Sequence, residues 1–126
     1  MDSDTPRIVR DAISSHSAAH PSLAAGRWQS LSLMEQLGNV GSEVDRAISA
    51  HAQGRRDRFE RALDRALELF DLTATDPRWK LHQRREILRA REQFCRVFYD
   101  ETAEQDLANY LSAYFLQFAV AARRPR

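Results

Sequence analysis

The sequence predicts an all-α fold, an antiparallel up-down-up-down four-helix bundle with a short N-terminal arm, and three observations carry that reading. The 126 residues include only four Gly and four Pro, and apart from Gly38 and Gly41 these sit at apparent boundaries. Leu, Ala, Arg and Glu, which lose little rotamer freedom in a helix, fill the stretches between them. Within those stretches apolar residues recur three and four positions apart, and the connections are short, so successive helices are expected to be antiparallel neighbours. The length suits one core. The arm is expected over residues 1–29 and the bundle over 30–126.

The arm holds Ser14, Ser15, Ser17, Ser22, His16, His20, Pro21 and Gly26. One short amphipathic turn fits Pro6 to Ser14, where Thr5 can cap and Ile8, Val9, Ala12 and Ile13 share a side. The first long helix should begin at Ser32, because Ser32-x-x-Glu35 has the form of a capping box, and run to about Gln53, where Gly54 supplies a stop. Its core stripe is Leu33, Leu37, Val40, Gly41, Val44, Ile48 and His51, with Met34 at the edge. Gly38 and Gly41 each weaken a helix by about 1 kcal/mol relative to Ala. A second backbone is therefore expected close to Gly41, whereas at Gly38 close approach and a merely weak helix are equal readings.

The second helix should span about Asp57 to Thr73, with Phe59, Leu63, Ala66 and Phe70 inward and Ala62 and Leu67 flanking them. Its outer face alternates sign, pairing Asp57 with Arg61, Arg61 with Asp64 and Arg65 with Glu68, as a solvated surface does. Asp76-Pro77 reads as a cap followed by proline at the first helical position, opening a third helix over about Arg78 to Tyr99. Ile87, Ala90, Phe94 and Phe98 form its core stripe. Thr102-x-x-Gln105 repeats the capping-box form and opens the fourth helix, about Ala103 to Arg123, with Leu107, Tyr110, Leu111, Tyr114, Phe118 and Ala122 inward.

One apolar stripe per helix fills a monomeric core, so additional stripes ask for a partner. On the third helix Leu81, Leu88 and Cys95 recur at a spacing of seven, roughly 100° from the first stripe, with Arg84 and Arg91 wedged between the two. The fourth helix adds Ala113, Leu116 and Val120, and the second adds Leu69 and Leu72. The expectation is a homo-oligomer whose interface takes Leu69, Leu72, Leu81, Arg84, Leu88, Arg91, Cys95, Leu116 and Val120. The alternative is an arm that folds back over them.

The net charge of +1 is too small to mark a general nucleic-acid binder, and 18 of the 19 basic residues are Arg, as a GC-rich coding bias produces. Charge is uneven along the chain. Residues 77–100 carry seven basic side chains against Glu86, Glu92 and Asp100, while residues 30–54 hold Glu35, Glu43 and Asp45 against Arg46. Arg78, Arg85, Arg89 and Arg96, with His82, share one side of the third helix. That ridge is open to hydration, to pairing with Glu35, Glu43 and Asp45 of a neighbouring subunit, or to phosphate contact; Glu92 interrupts it and no aromatic residue interleaves with it on that face.

The chemical motifs are mostly negative. No Glu is followed three positions later by His, as a carboxylate di-iron bundle requires. His16 and His20 form the one i, i+4 histidine pair, and His51 reads as a core-edge residue. Neither a GxSxG elbow, a phosphate loop nor a dinucleotide fingerprint occurs. Cys95, the lone cysteine, should behave as a small apolar side chain. The expectation is a non-enzymatic protein with no cofactor, metal or catalytic residue. A small helical enzyme that grips an anionic substrate between Arg84 and Arg91 is the catalytic alternative. A single thiol, no run of 18 apolar residues and no basic, apolar leader suggest a cytoplasmic protein without membrane contact.

The segment Trp28 to Thr73 resembles the bacterial four-helix-bundle proteins grouped with the 23S rRNA intervening-sequence proteins and the accessory variability determinants of diversity-generating retroelements. Its carriers are a helix that ends in a Gly-containing turn and a basic, Phe-containing start to the next helix, and the likeness continues more loosely to Arg123. The resemblance implies a bundle assembled as a ring, pentameric in characterised relatives, with no enzymatic activity. The retroelement members bind reverse transcriptase and nucleic acid through a basic surface; Arg78, Arg85, Arg89 and Arg96 are the candidates for that contact by position. The function expected is that of an oligomeric interaction or scaffold module whose partners are its own copies and a further protein or nucleic acid.

Overall fold

A computed structural model describes residues 26–99 and 104–124. Four long helices follow in order: α1 (Leu33–Ala52), α2 (Arg56–Ala74), α3 (Leu81–Arg96) and α4 (Glu104–Arg123), with no strand among the described residues. Each helix packs on the next, and α4 closes back on α1. Side-chain pairs fix the antiparallel sense. Gly38, Gly41 and Asp45 of α1 meet Ala119, Phe115 and Ser112 of α4, one number rising as the other falls. His51 and Phe59 meet across the α1–α2 turn, and Phe59 and Phe70 meet Phe98 and Phe94. The Pro6–Ser14 turn, His16, His20 and the Thr102 cap lie outside the described residues.

The ends of α1 follow its local sequence. Ser32 Oγ accepts from the Glu35 N–H at 3.1 Å while the Glu35 carboxylate accepts from the Ser32 N–H at 2.9 Å, so both halves of the capping box form. At the other end Gly54 takes a φ of +69°, a left-handed conformation that ends the helix and that a Cβ would strain. Phe59, Ala62, Leu63, Ala66, Leu67 and Phe70 of α2, Ile87, Ala90 and Phe94 of α3, and Phe98 just beyond it are all buried, as their periodicity predicts. Phe70 sits at the centre, its ring 5.8 Å from both Phe94 and Phe115.

Three local expectations change. Helix α3 begins at Leu81 rather than Arg78, because the Asp76 carboxylate is turned inward and residues 77–79 form a tight turn; the Gln83 side chain accepts from the Lys80 N–H at 2.8 Å instead. Its regular part ends at Arg96, and residues 97–99 continue as a turn. Helix α4 is rotated from the expected stripe: Ala108, Leu111 and Phe115 are buried, Tyr110 is exposed, and Leu107, Tyr114 and Phe118 pack at the core's margin. Trp28, placed by sequence in the arm, is buried in the core.

Candidate interaction surfaces

The second stripes divide once they are placed on the fold. Leu81 and Leu88 are 63% and 50% exposed, and Leu116 and Val120 are 62% and 45% exposed, as large apolar side chains left on the surface of a protomer. Leu69 and Cys95 are buried within that protomer, and Leu72 packs against its core, so none of these three belongs to an exposed stripe. On α3 the buried side chains are Ile87, Ala90, Phe94 and Cys95, so the stripe that is exposed at Leu81 and Leu88 is covered by the time it reaches Cys95. Burial pushes the Cys95 thiol up to about 11, which keeps it a neutral, apolar side chain.

The two exposed pairs lie on different edges. Leu88 is three residues before Arg91, whose guanidinium reaches Asp71 of α2 at 3.0 Å, which puts Leu88 on the α2 flank of α3. Leu116 is four residues after Ser112, whose hydroxyl donates to Asp45 of α1 at 2.6 Å, which puts Leu116 on the α1 flank of α4. With the helices in cyclic order these are opposite edges of the bundle, at the end where α3 begins and α4 finishes.

The arginines between the α3 stripes are engaged inside the protomer. Arg91 pairs with Asp71, and Arg84 Nη2 donates to the Asp76 carbonyl at 3.1 Å. On the expected basic ridge Arg78 is also committed: it forks onto Asp76 at 3.1 and 2.8 Å, donates to the Leu31 carbonyl at 2.6 Å, and lies 4.3 Å from the Trp79 ring centre. Arg85, Arg89 and Arg96 remain exposed. Arg89 lines a shallow cleft with Glu86 and with Tyr110 and Tyr114 of α4, a juxtaposition that no single helix reveals. Burial, and then the hydrogen bond it donates to Glu86, raise the Tyr114 phenol above its ordinary range.

Beneath Arg78 lies a polar cluster that sequence reasoning missed. Gln36 and Asp76 have no solvent exposure. The Gln36 amide donates to the Trp28 carbonyl at 3.0 Å and to Asp76 at 2.9 Å, and its oxygen accepts from the Trp79 indole at 2.9 Å. The Trp28 indole donates to Thr73 at 3.0 Å, and the Thr73 hydroxyl donates in turn to the Leu69 carbonyl at 2.7 Å. Every polar atom of the Gln36 amide is used, so the cluster latches residues 28–31, α1 and the α2–α3 turn together. The Arg78 fork holds the Asp76 carboxyl at about 2, against an ordinary 3.8.

A second surface lies between α1 and α2. There Arg46, Arg55, Arg58, Arg61 and Arg65 surround a groove of about 770 Å³ with Ala50 and Ala62 among its lining residues. Helical spacing suggests Arg61 and Arg65 as partners for Asp57 and Glu68, but Arg65 instead approaches Glu43 of α1 at 3.8 Å.

No family model, curated protein or solved structure matches this chain. Function is therefore to be read from these surfaces themselves. Among the described residues no three His, Cys, Asp or Glu side chains gather as a metal-binding group, and no helix is long and apolar enough to cross a membrane.

Proposed function

We propose that the protein is a non-enzymatic, self-assembling helical bundle whose copies join edge to edge into a ring-like oligomer that presents a surface to another macromolecule. The observation that supports this reading is the pairing of Leu81 with Leu88 on one edge and Leu116 with Val120 on the opposite edge, all large, apolar and about half or more exposed. Fully burying such side chains contributes about 1.5–3 kcal/mol each. Two unlike patches on opposite edges suit a head-to-tail contact, in which one copy's α3 edge meets the next copy's α4 edge; repeated with a rotation that returns to the first copy, that operation makes a ring. The family resemblance of the Trp28–Thr73 segment implies the same kind of assembly and sets five as the number to test.

Size-exclusion chromatography with light scattering tests the proposal. The wild-type chain is expected at a multiple of its 14.5 kDa protomer mass. Leu88→Glu and Leu116→Glu should each return it to one protomer with unchanged helicity, because both sites are exposed in the isolated fold. A wild-type protein that stays at one protomer mass at high concentration overturns the reading, whether its edges are bare or covered by its own N-terminal residues.

A further inference from the structure

The groove between α1 and α2 sets Arg46 of α1 beside the arginines at the start of α2. Five guanidinium groups line it, against the two carboxylates Glu43 and Asp45. Both carboxylates are already engaged: Glu43 accepts from Arg46 at 2.7 Å and stands 3.8 Å from Arg65, and Asp45 accepts from Ser112 of α4. That leaves Arg55, Arg58 and Arg61 with no carboxylate of the described residues at ion-pair distance. Arg55, Arg58 and Arg61 are exposed and line the same groove, and the first turn of α2 is already the positive end of its helix dipole. Arg55, at the cap of that helix, contributes no capping hydrogen bond. An anion in the groove is attracted by both the guanidinium groups and the dipole.

The shape narrows the anion. From Arg55 to Arg65 helix α2 rises about 15 Å, so a lone phosphate meets only part of the set and a linear chain of phosphates meets most of it. A volume of about 770 Å³ falls in the range of small-molecule sites. The lining contains no aromatic ring on which a base could stack, which argues against a nucleic-acid strand. Guanidinium forks match phosphate oxygens two at a time, and Ser49 and Gln53 add neutral hydrogen-bonding groups along the α1 wall.

The geometry points to an oligophosphate-binding site in the α1–α2 groove, with Arg55, Arg58 and Arg61 as the principal contacts and Arg46 and Arg65 shared with Glu43. The chemistry is common to free polyphosphate and to the phosphate tail of a nucleotide. This site lies on a different edge from the two apolar patches, so it stands whether or not the protein self-associates.

Calorimetric titration of the full chain at low ionic strength, with tripolyphosphate, orthophosphate, ATP and a single-stranded oligonucleotide as probes, tests it. Tripolyphosphate should bind about tenfold or more tighter than orthophosphate and weaken as salt is added. Arg58→Glu/Arg61→Glu should abolish that binding and the milder Arg58→Gln/Arg61→Gln should weaken it, while Arg85→Glu/Arg89→Glu on α3 leaves it unchanged; circular dichroism verifies that each variant is folded. ATP equal to tripolyphosphate assigns recognition to the phosphates alone, and tighter ATP binding assigns it to a nucleotide; either supports the site. No saturable tripolyphosphate binding, equal loss in the α3 variant, or an oligonucleotide bound more tightly through the same arginines overturns it.

Discussion

Asp76 occupies a position where one atom's charge matters to the whole fold. Its carboxylate is inaccessible to solvent yet accepts from Gln36, from the Arg78 backbone and from the Arg78 guanidinium. Its folded value of about 2 lies below the ordinary 3.8, so the ionised form favours the folded state. That contribution is complete above the unfolded value and is lost as pH falls from about 4 towards 2, an effect of about 2 kcal/mol. Urea unfolding of wild type and Asp76→Asn between pH 6 and pH 2 should show this: the variant is less stable at neutral pH by about 2–3 kcal/mol, and the gap narrows below pH 4. A gap that does not change with pH would show that the Arg78 fork contributes nothing. The residue was readable in the sequence only as a helix cap before Pro77. Its partner Gln36 lies 40 positions away, beyond the reach of any local pattern.

At the scale of elements, the seam between α1 and α4 depends on what is missing from it. A Cβ at Gly41 would overlap the Cβ of Phe115, a group too near its backbone to swing aside, whereas a Cβ at Gly38 would meet Ala119 Cα at 3.2 Å. Ala in place of Gly gains about 1 kcal/mol of helix propensity, but overpacking a close seam costs about 1–3 kcal/mol. Gly41→Ala should therefore lower stability by about 1–2 kcal/mol net, and Gly38→Ala should be nearly neutral, as paired thermal melts would measure. Equal melting temperatures for wild type and Gly41→Ala would refute the close approach. The two ends of α1 were readable from the Ser32 capping box and Gly54, and the inward faces of α2 and α3 because polar and apolar residues segregate cleanly on them. The face of α4 was not, because Leu107, Tyr110, Leu111, Tyr114, Phe115, Leu116 and Phe118 spread apolar surface around most of its circumference. Gly41 meeting Phe115, a contact between distant segments, then decides the rotation.

For the whole molecule, the exposed residues were readable from spacing alone at Leu81, Leu88, Leu116 and Val120, but their arrangement on opposite edges and the arginine groove were not. Both arise from laying one helix beside another, as when Arg46 of α1 joins the arginines of α2. That arrangement makes a sharper demand than oligomerisation itself. If the α3 edge of one copy docks on the α4 edge of the next, Leu88→Glu leaves an intact α4 edge and Leu116→Glu leaves an intact α3 edge. Neither variant can propagate, since a charge buried in such a contact costs about 3 kcal/mol or more, over a hundredfold in Kd. Mixed in equal amounts, the two variants should form one pair with twice the protomer mass and stop there, because the two remaining edges both carry the blocking glutamate. A two-fold contact in which each edge meets its own kind predicts the reverse: Leu88→Glu alone would still pair through Leu116, and mixing would add nothing. Light scattering on the single variants and their mixture separates the two geometries, and pairs that form without mixing would sink the ring.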